Sequence, residues 1–215
     1  GSRRSAHPST PCREILPGMA SAVKRSRPFL QRAEELATHE PVVAHYCRIY
    51  AIDLLARARQ GGDSSSELQA LLVQELDRAE ATKRTLDLAN GGEAMEAFAL
   101  GVFERVNAAD GAGTADAGIS SQYYVAGLFL EVCAQFYGGE LPPDLAEKVR
   151  FAKYRAVHIR DCLRRGVAPE PPTAAQEVLD EGAAASAPAG GPDTVAGGPP
   201  PSIPAAVASA PPASA

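Results

Sequence analysis

The stretch PVVAHYCRIYAIDLL, Pro41 to Leu55, repeats apolar side chains at helical spacing. Val43, Cys47, Tyr50 and Leu54 form one stripe, and Val42, Tyr46 and Ile49 widen it. Wide apolar arcs belong to helices with neighbours on more than one side, so this segment, about Pro41 to Gln60, is predicted to be a central helix. Working backwards, Phe29, Leu30, Ala33, Leu36 and Ala37 share a face of a helix from about Ser26 to His39, with Ser26 as N-cap and Pro28 in its first turn. Working forwards, Gly61-Gly62-Asp63 interrupts the chain, Ser64 to Ser66 offer N-caps, and Leu68, Leu72, Leu76, Ala79 and Leu86 define a third helix. Three helices on short connections predict an antiparallel bundle, residues 22–90.

Asn90-Gly91-Gly92 separates this bundle from a second one, residues 91–166. Its first helix carries Met95, Phe98, Ala99, Val102, Phe103 and Val106. Its next contains YYVAGLFLEVCAQFY, Tyr123 to Tyr137, in which only Glu131 and Gln135 are strongly polar, and is predicted to be buried nearly all round. A strand of that length would be unusual. After Gly138-Gly139, Pro142-Pro143 opens the last helix, in which Leu145, Val149, Ala152, Ala156, Ile159 and Leu163 recur until Gly166 stops it. The fold class expected is all-α: two tandem three-helix bundles and a tail.

The chain has 215 residues, 45% of them hydrophobic, with a net charge of -5. Residues 167–215 carry Glu170, Glu177, Asp180, Glu181 and Asp193 but no Lys or Arg; without them, bases and acids balance at 21 each. A balanced folded part exerts no general pull on nucleic acid. The Ala, Pro, Gly and Ser of residues 167–215 cannot bury enough apolar surface to offset ordering, so this stretch reads as a disordered tail, with TAAQEVLDE (173–181) its one short helical pattern. Residues 1–21 are taken as a disordered N-terminal extension. Four separated cysteines, Cys12, Cys47, Cys133 and Cys162, fit a reducing compartment, and neither a secretory signal nor a 20-residue apolar span is present, which predicts a soluble cytosolic protein.

Catalytic chemistry finds little footing. No glycine-rich phosphate loop, HExxH, GxSxG or paired zinc spacing occurs. His158 and Cys162 share a helix face at ligand spacing, but two ligands do not close a zinc site and Cys133 would have to converge on them, so no metal is expected. Cys162, beside Arg160, Arg164 and Arg165, lacks a legible base and cleft, and a structural thiol is the simpler reading. Lys148, Arg150, Lys153, Arg155, Arg160, Arg164 and Arg165 read as a basic face of the last helix, which makes a membrane-surface protein the alternative function.

The segment from Glu40 to Ala51 resembles the D/E-P-V-V-A-x-Y-C-R-x-Y-A pattern of the LYST-interacting protein family, the Vps-twenty-associated adaptors of endosomal sorting. Ala94 to Phe103, Tyr123 to Val132 and Phe151 to Leu163 resemble the family's later segments in order, so the agreement covers residues 26–166. The resemblance implies two MIT-type bundles that bind C-terminal tails of ESCRT-III subunits, in a cytoplasmic protein peripheral to endosomal and multivesicular-body membranes, with no catalysis and no cofactor. A helix laid into an interhelical groove suits such bundles. It also implies that the groove residue of the third helix falls at Leu76, with Asp77, Glu80 and Lys83 around it, Asp77 and Glu80 facing a basic residue of the tail. The aromatic of a second partner surface falls at Tyr154, where the family usually has Trp. Full-length members end in a helical hairpin that dimerises and docks on the Vps-four AAA ATPase. Nothing after Val167 resembles it, so this chain is expected to be monomeric.

Overall fold

The computed structural model describes residues 21–113 and 115–172. Their elements are six α-helices and one 3-10 turn: α1 Ala22–Leu36, α2 Pro41–Gln60, α3 Ser66–Lys83, α4 Gly91–Gly111, α5 Ala117–Val132, the turn Cys133–Phe136, and α6 Pro143–Arg164. The all-α expectation holds, and consecutive helices pack on one another within each group of three. Residues 1–20 and the pattern at 173–181 lie outside the described residues.

Several helix ends differ from expectation, each for a local reason. Ser21, not Ser26, caps α1, accepting from the Lys24 N–H. Ser26 is buried one turn in, its hydroxyl donating to the Val23 carbonyl at 3.0 Å. Pro28 therefore stands inside the helix, removing one backbone donor. Leu86 lies beyond the end of α3 at Lys83. Asp116 starts α5 well before Tyr123, its carboxylate accepting from the Ile119 N–H at 2.8 Å. The helix then tightens into the 3-10 turn before Gly138 and Gly139, both at positive φ.

The larger apolar cluster takes Phe29 and Ala33 from α1, Val43, Cys47 and Ala51 from α2, and Met95, Phe103, Tyr123, Phe129 and Ile159 from α4 to α6. One core thus runs through both groups of three helices. Helix α3 stands apart from it, held on a smaller cluster of Val23, Ile52, Leu55, Leu68, Leu72 and Ala79. Within α5, burial is broken at Tyr124, and it ends at Phe136 and Tyr137, all of which reach solvent.

Candidate peptide-docking surfaces

Buried charge fixes the orientation of α3. Arg48 of α2 pairs with Glu34 of α1 at 2.6 Å and with Glu75 of α3 at 3.1 Å, and Arg78 of α3 reaches Glu34 at 2.9 Å. Glu75 and Arg48 are almost wholly buried, so these ions can stay out of water only while each keeps its partners. Arg27 of α1 also reaches Glu67 of α3, which places α1 along the Glu67–Arg78 flank. At about 100° per residue, Leu76 falls on the opposite flank, beside α2.

That flank presents Val73, 56% exposed, and Leu76, 40% exposed, with Asp77, Glu80 and Lys83 also in solvent. The buried stripe of α3 is made instead by Leu68, Leu72, Glu75 and Ala79. Leu76 is therefore a surface residue, and the structure brings it together with Asp77, Glu80 and Lys83 on one side of the helix. Val73 belongs to the same patch and was missed in the sequence; its spacing of three from Leu76 was the available signal. At the C-terminal end of α3, on the Arg78 side, His45 of α2 is buried with Nδ1 3.0 Å from the Thr82 hydroxyl.

In the second group, Tyr154 of α6 is half-buried and stacks on His158, with ring centroids 5.6 Å apart and planes 13° from parallel. Exposed Arg150 and Val157 share its flank. Arg155 departs from the basic face expected of it. Its side chain is fully buried against Asp110 of α4, Nε–Oδ2 2.5 Å and Nη2–Oδ1 2.8 Å, and Tyr123 donates to the same carboxylate at 3.0 Å. Burial opposes the charge of Arg155, but the hydrogen bond and charge of Asp110 outweigh it and raise the pKa. Lys153 pairs with Glu131 and Arg164 with Asp161, so the basic face is thinner than the sequence suggests.

The thiol of Cys162 is buried, with its sulfur 3.7 Å from Nε2 of His158 and 3.6 Å from Nη2 of Arg165. Cys133 does not join it. That thiol is buried on the Phe129 carbonyl and pushed up to about 12 by desolvation. Among the described residues no group of three or more His, Cys, Asp or Glu side chains has metal-holding geometry.

Residues 26–165 match the Vta1-like family. The chain belongs to that family. It is 33% identical over 189 residues to the Arabidopsis thaliana protein named homolog of mammalian LYST-interacting protein 5, covering 87% of this chain and 42% of the relative. The Dictyostelium discoideum vacuolar protein sorting-associated protein VTA1 homolog is 32% identical over 173 residues, covering 78% and 31%. The human VTA1 homolog is 28% identical over 162 residues, covering 72% and 51%. The matched part of the chain thus spans 31% to 51% of the length of these Vta1-like relatives. The crystal structure of the Saccharomyces cerevisiae Vta1 N-terminal domain superposes with a TM-score of 0.57 at 16% identity, covering 68% of this chain and 98% of that domain. At that identity the likeness speaks to the fold alone. No helix among the described residues is long and apolar enough to cross a membrane.

Proposed function

We propose that this chain is the recognition part of a non-enzymatic adaptor in vacuolar and endosomal sorting. Its two helical units, residues 22–90 and 91–166, bind C-terminal tails of ESCRT-III subunits, and the longer protein couples that binding to the Vps-four AAA ATPase. The observation that carries this reading is the exposed apolar pair Val73 and Leu76, flanked by Asp77 and Glu80, on a helix oriented by the buried Arg48–Glu75 pair and the exposed Arg78–Glu34 pair. A helix flank with an apolar centre and acidic rim suits an amphipathic helix carrying a basic residue. Kinship with vacuolar protein sorting-associated relatives supports the same reading.

A surface of this size gives weak contacts, on the order of micromolar, and two units on one polymer raise occupancy through effective concentration. Titration calorimetry with ESCRT-III tail peptides tests the reading: Leu76→Asp removes binding to the first unit with helical circular dichroism unchanged, and Tyr154→Asp removes only the partner of the second. No heat from any peptide at roughly millimolar protein, three orders above that affinity, sinks it. The membrane-surface alternative loses support from the burial of Arg155 and the pairing of Lys153 and Arg164. Salt-sensitive sedimentation with anionic liposomes, in a protein that binds no peptide, would restore it.

A further inference from the structure

The chain does not leave the second unit at the end of α6. Gly166 turns at φ 71°, and the Val167 N–H donates to the Cys162 carbonyl at 2.9 Å, which reverses the backbone. Three residues further on, the Glu170 carbonyl accepts from Nη2 of Arg155 at 2.6 Å. Residues 167–170 therefore run back along α6 from its last turn to Arg155, a span of about 13 Å at 1.5 Å per residue. The anchor is stiff, because Asp110 holds the same guanidinium by two hydrogen bonds along one edge. Nη1 of Arg155 lies 3.0 Å from Nδ1 of His158, the ring that stacks on Tyr154, and Pro172 is buried. The strap is thereby tied down on the Arg155 side of α6, next to His158 and so one ring away from Tyr154.

We propose that residues 173–181, TAAQEVLDE, occupy the flank of Arg150, Tyr154 and Val157 as an internal competitor of the partner helix of the second unit. Three observations fix this occupant. The first is place: the described strap ends at Pro172, two residues past its anchor on Arg155, whose guanidinium also lies against His158, the ring stacked on Tyr154, and a nine-residue segment would reach about 13 Å if helical, enough to pass Arg150. The second is pattern: Ala174, Ala175, Val178 and Leu179 share one face at helical spacing. The third is charge: Glu177, Asp180 and Glu181 have no base anywhere in residues 167–215, whereas Arg150 stands exposed one turn from Tyr154. A tether this short gives millimolar effective concentration, so even a weak contact is populated.

The docking stands on its own geometry; only its competitive role rests on Tyr154 being a partner surface. The test uses the full chain and its Val178→Asp, Leu179→Asp double variant, followed by amide NMR. The variant shifts the resonances of Arg150, Tyr154 and Val157 and leaves Val73 and Leu76 unmoved; shifts confined to the neighbourhood of residue 178 overturn the docking. In the same two proteins, ESCRT-III tail peptides bind the second unit roughly two- to tenfold more tightly in the variant. Shifts on α6 without any gain in peptide affinity uphold the docking and instead remove Tyr154 from the partner surface.

Discussion

Asp110 and Arg155 are fully buried and meet through two hydrogen bonds, with the Tyr123 hydroxyl closing the network. Removing one partner of such a pair strands the other charge in the core. Asp110→Asn is expected to cost about 3 kcal/mol or more in urea unfolding, against about 1 kcal/mol for Tyr123→Phe, which removes one neutral donor. Equal losses would mean that water reaches the guanidinium. His45 makes a pH-dependent contribution. The Thr82 hydroxyl donates to α3 carbonyls, so it accepts from Nδ1–H of a neutral ring. Burial, then Arg48 and Lys83, lower the His45 pKa below its ordinary 6.5. The unfolded chain then binds the proton more readily than the fold, so this contribution is intact above the unfolded value and is lost progressively as the pH falls from there through the lower folded value. Between pH 7.5 and 5.5 His45→Gln should flatten the acid-side fall in melting temperature, and an unaltered slope would assign that fall to other groups.

Among the elements, α2 and α6 are the ones whose limits follow from local chemistry: Pro41 and Pro143 start them and Gly61 and Gly166 end them. The start of α1 was less legible because Ser21 caps through a side-chain bond that Ser26 can mimic in sequence, and α5 begins at a cap, Asp116, that lies before its long apolar run. The start of α4 is set by contact with another helix. A Cβ on Gly91 would overlap the Tyr46 hydroxyl oxygen, and the Tyr46 ring is itself packed edge-on against Phe136 with centroids 4.8 Å apart. Helix propensity favours Gly91→Ala, yet the crowding should win by about 1 to 3 kcal/mol. Tyr46→Leu, which removes the ring, should recover part of that loss in a double-mutant cycle.

Across the whole molecule, α1 and α2 share a core with α4, α5 and α6, while α3 is fixed by a satellite cluster and ion pairs. Hydrogen exchange should therefore find α3 the least protected helix, and Cys47 and Cys133 should become reactive to a thiol reagent only as α5 loses its helicity. Both thiols are buried and pushed upward by desolvation. Release of Cys47 while α5 stays protected would show that the two units open independently. Apolar periodicity and Pro/Gly punctuation determined the number, order and kind of the helices, because these depend on neighbours within a turn or two. They also placed Leu76 and Tyr154 on their helices. Whether Leu76 faced core or solvent, which arginine of α6 was buried, and that one core spans both units were decided only by tertiary packing. Each depends on a partner far along the chain, as Asp110 is for Arg155 and Glu75 for Arg48.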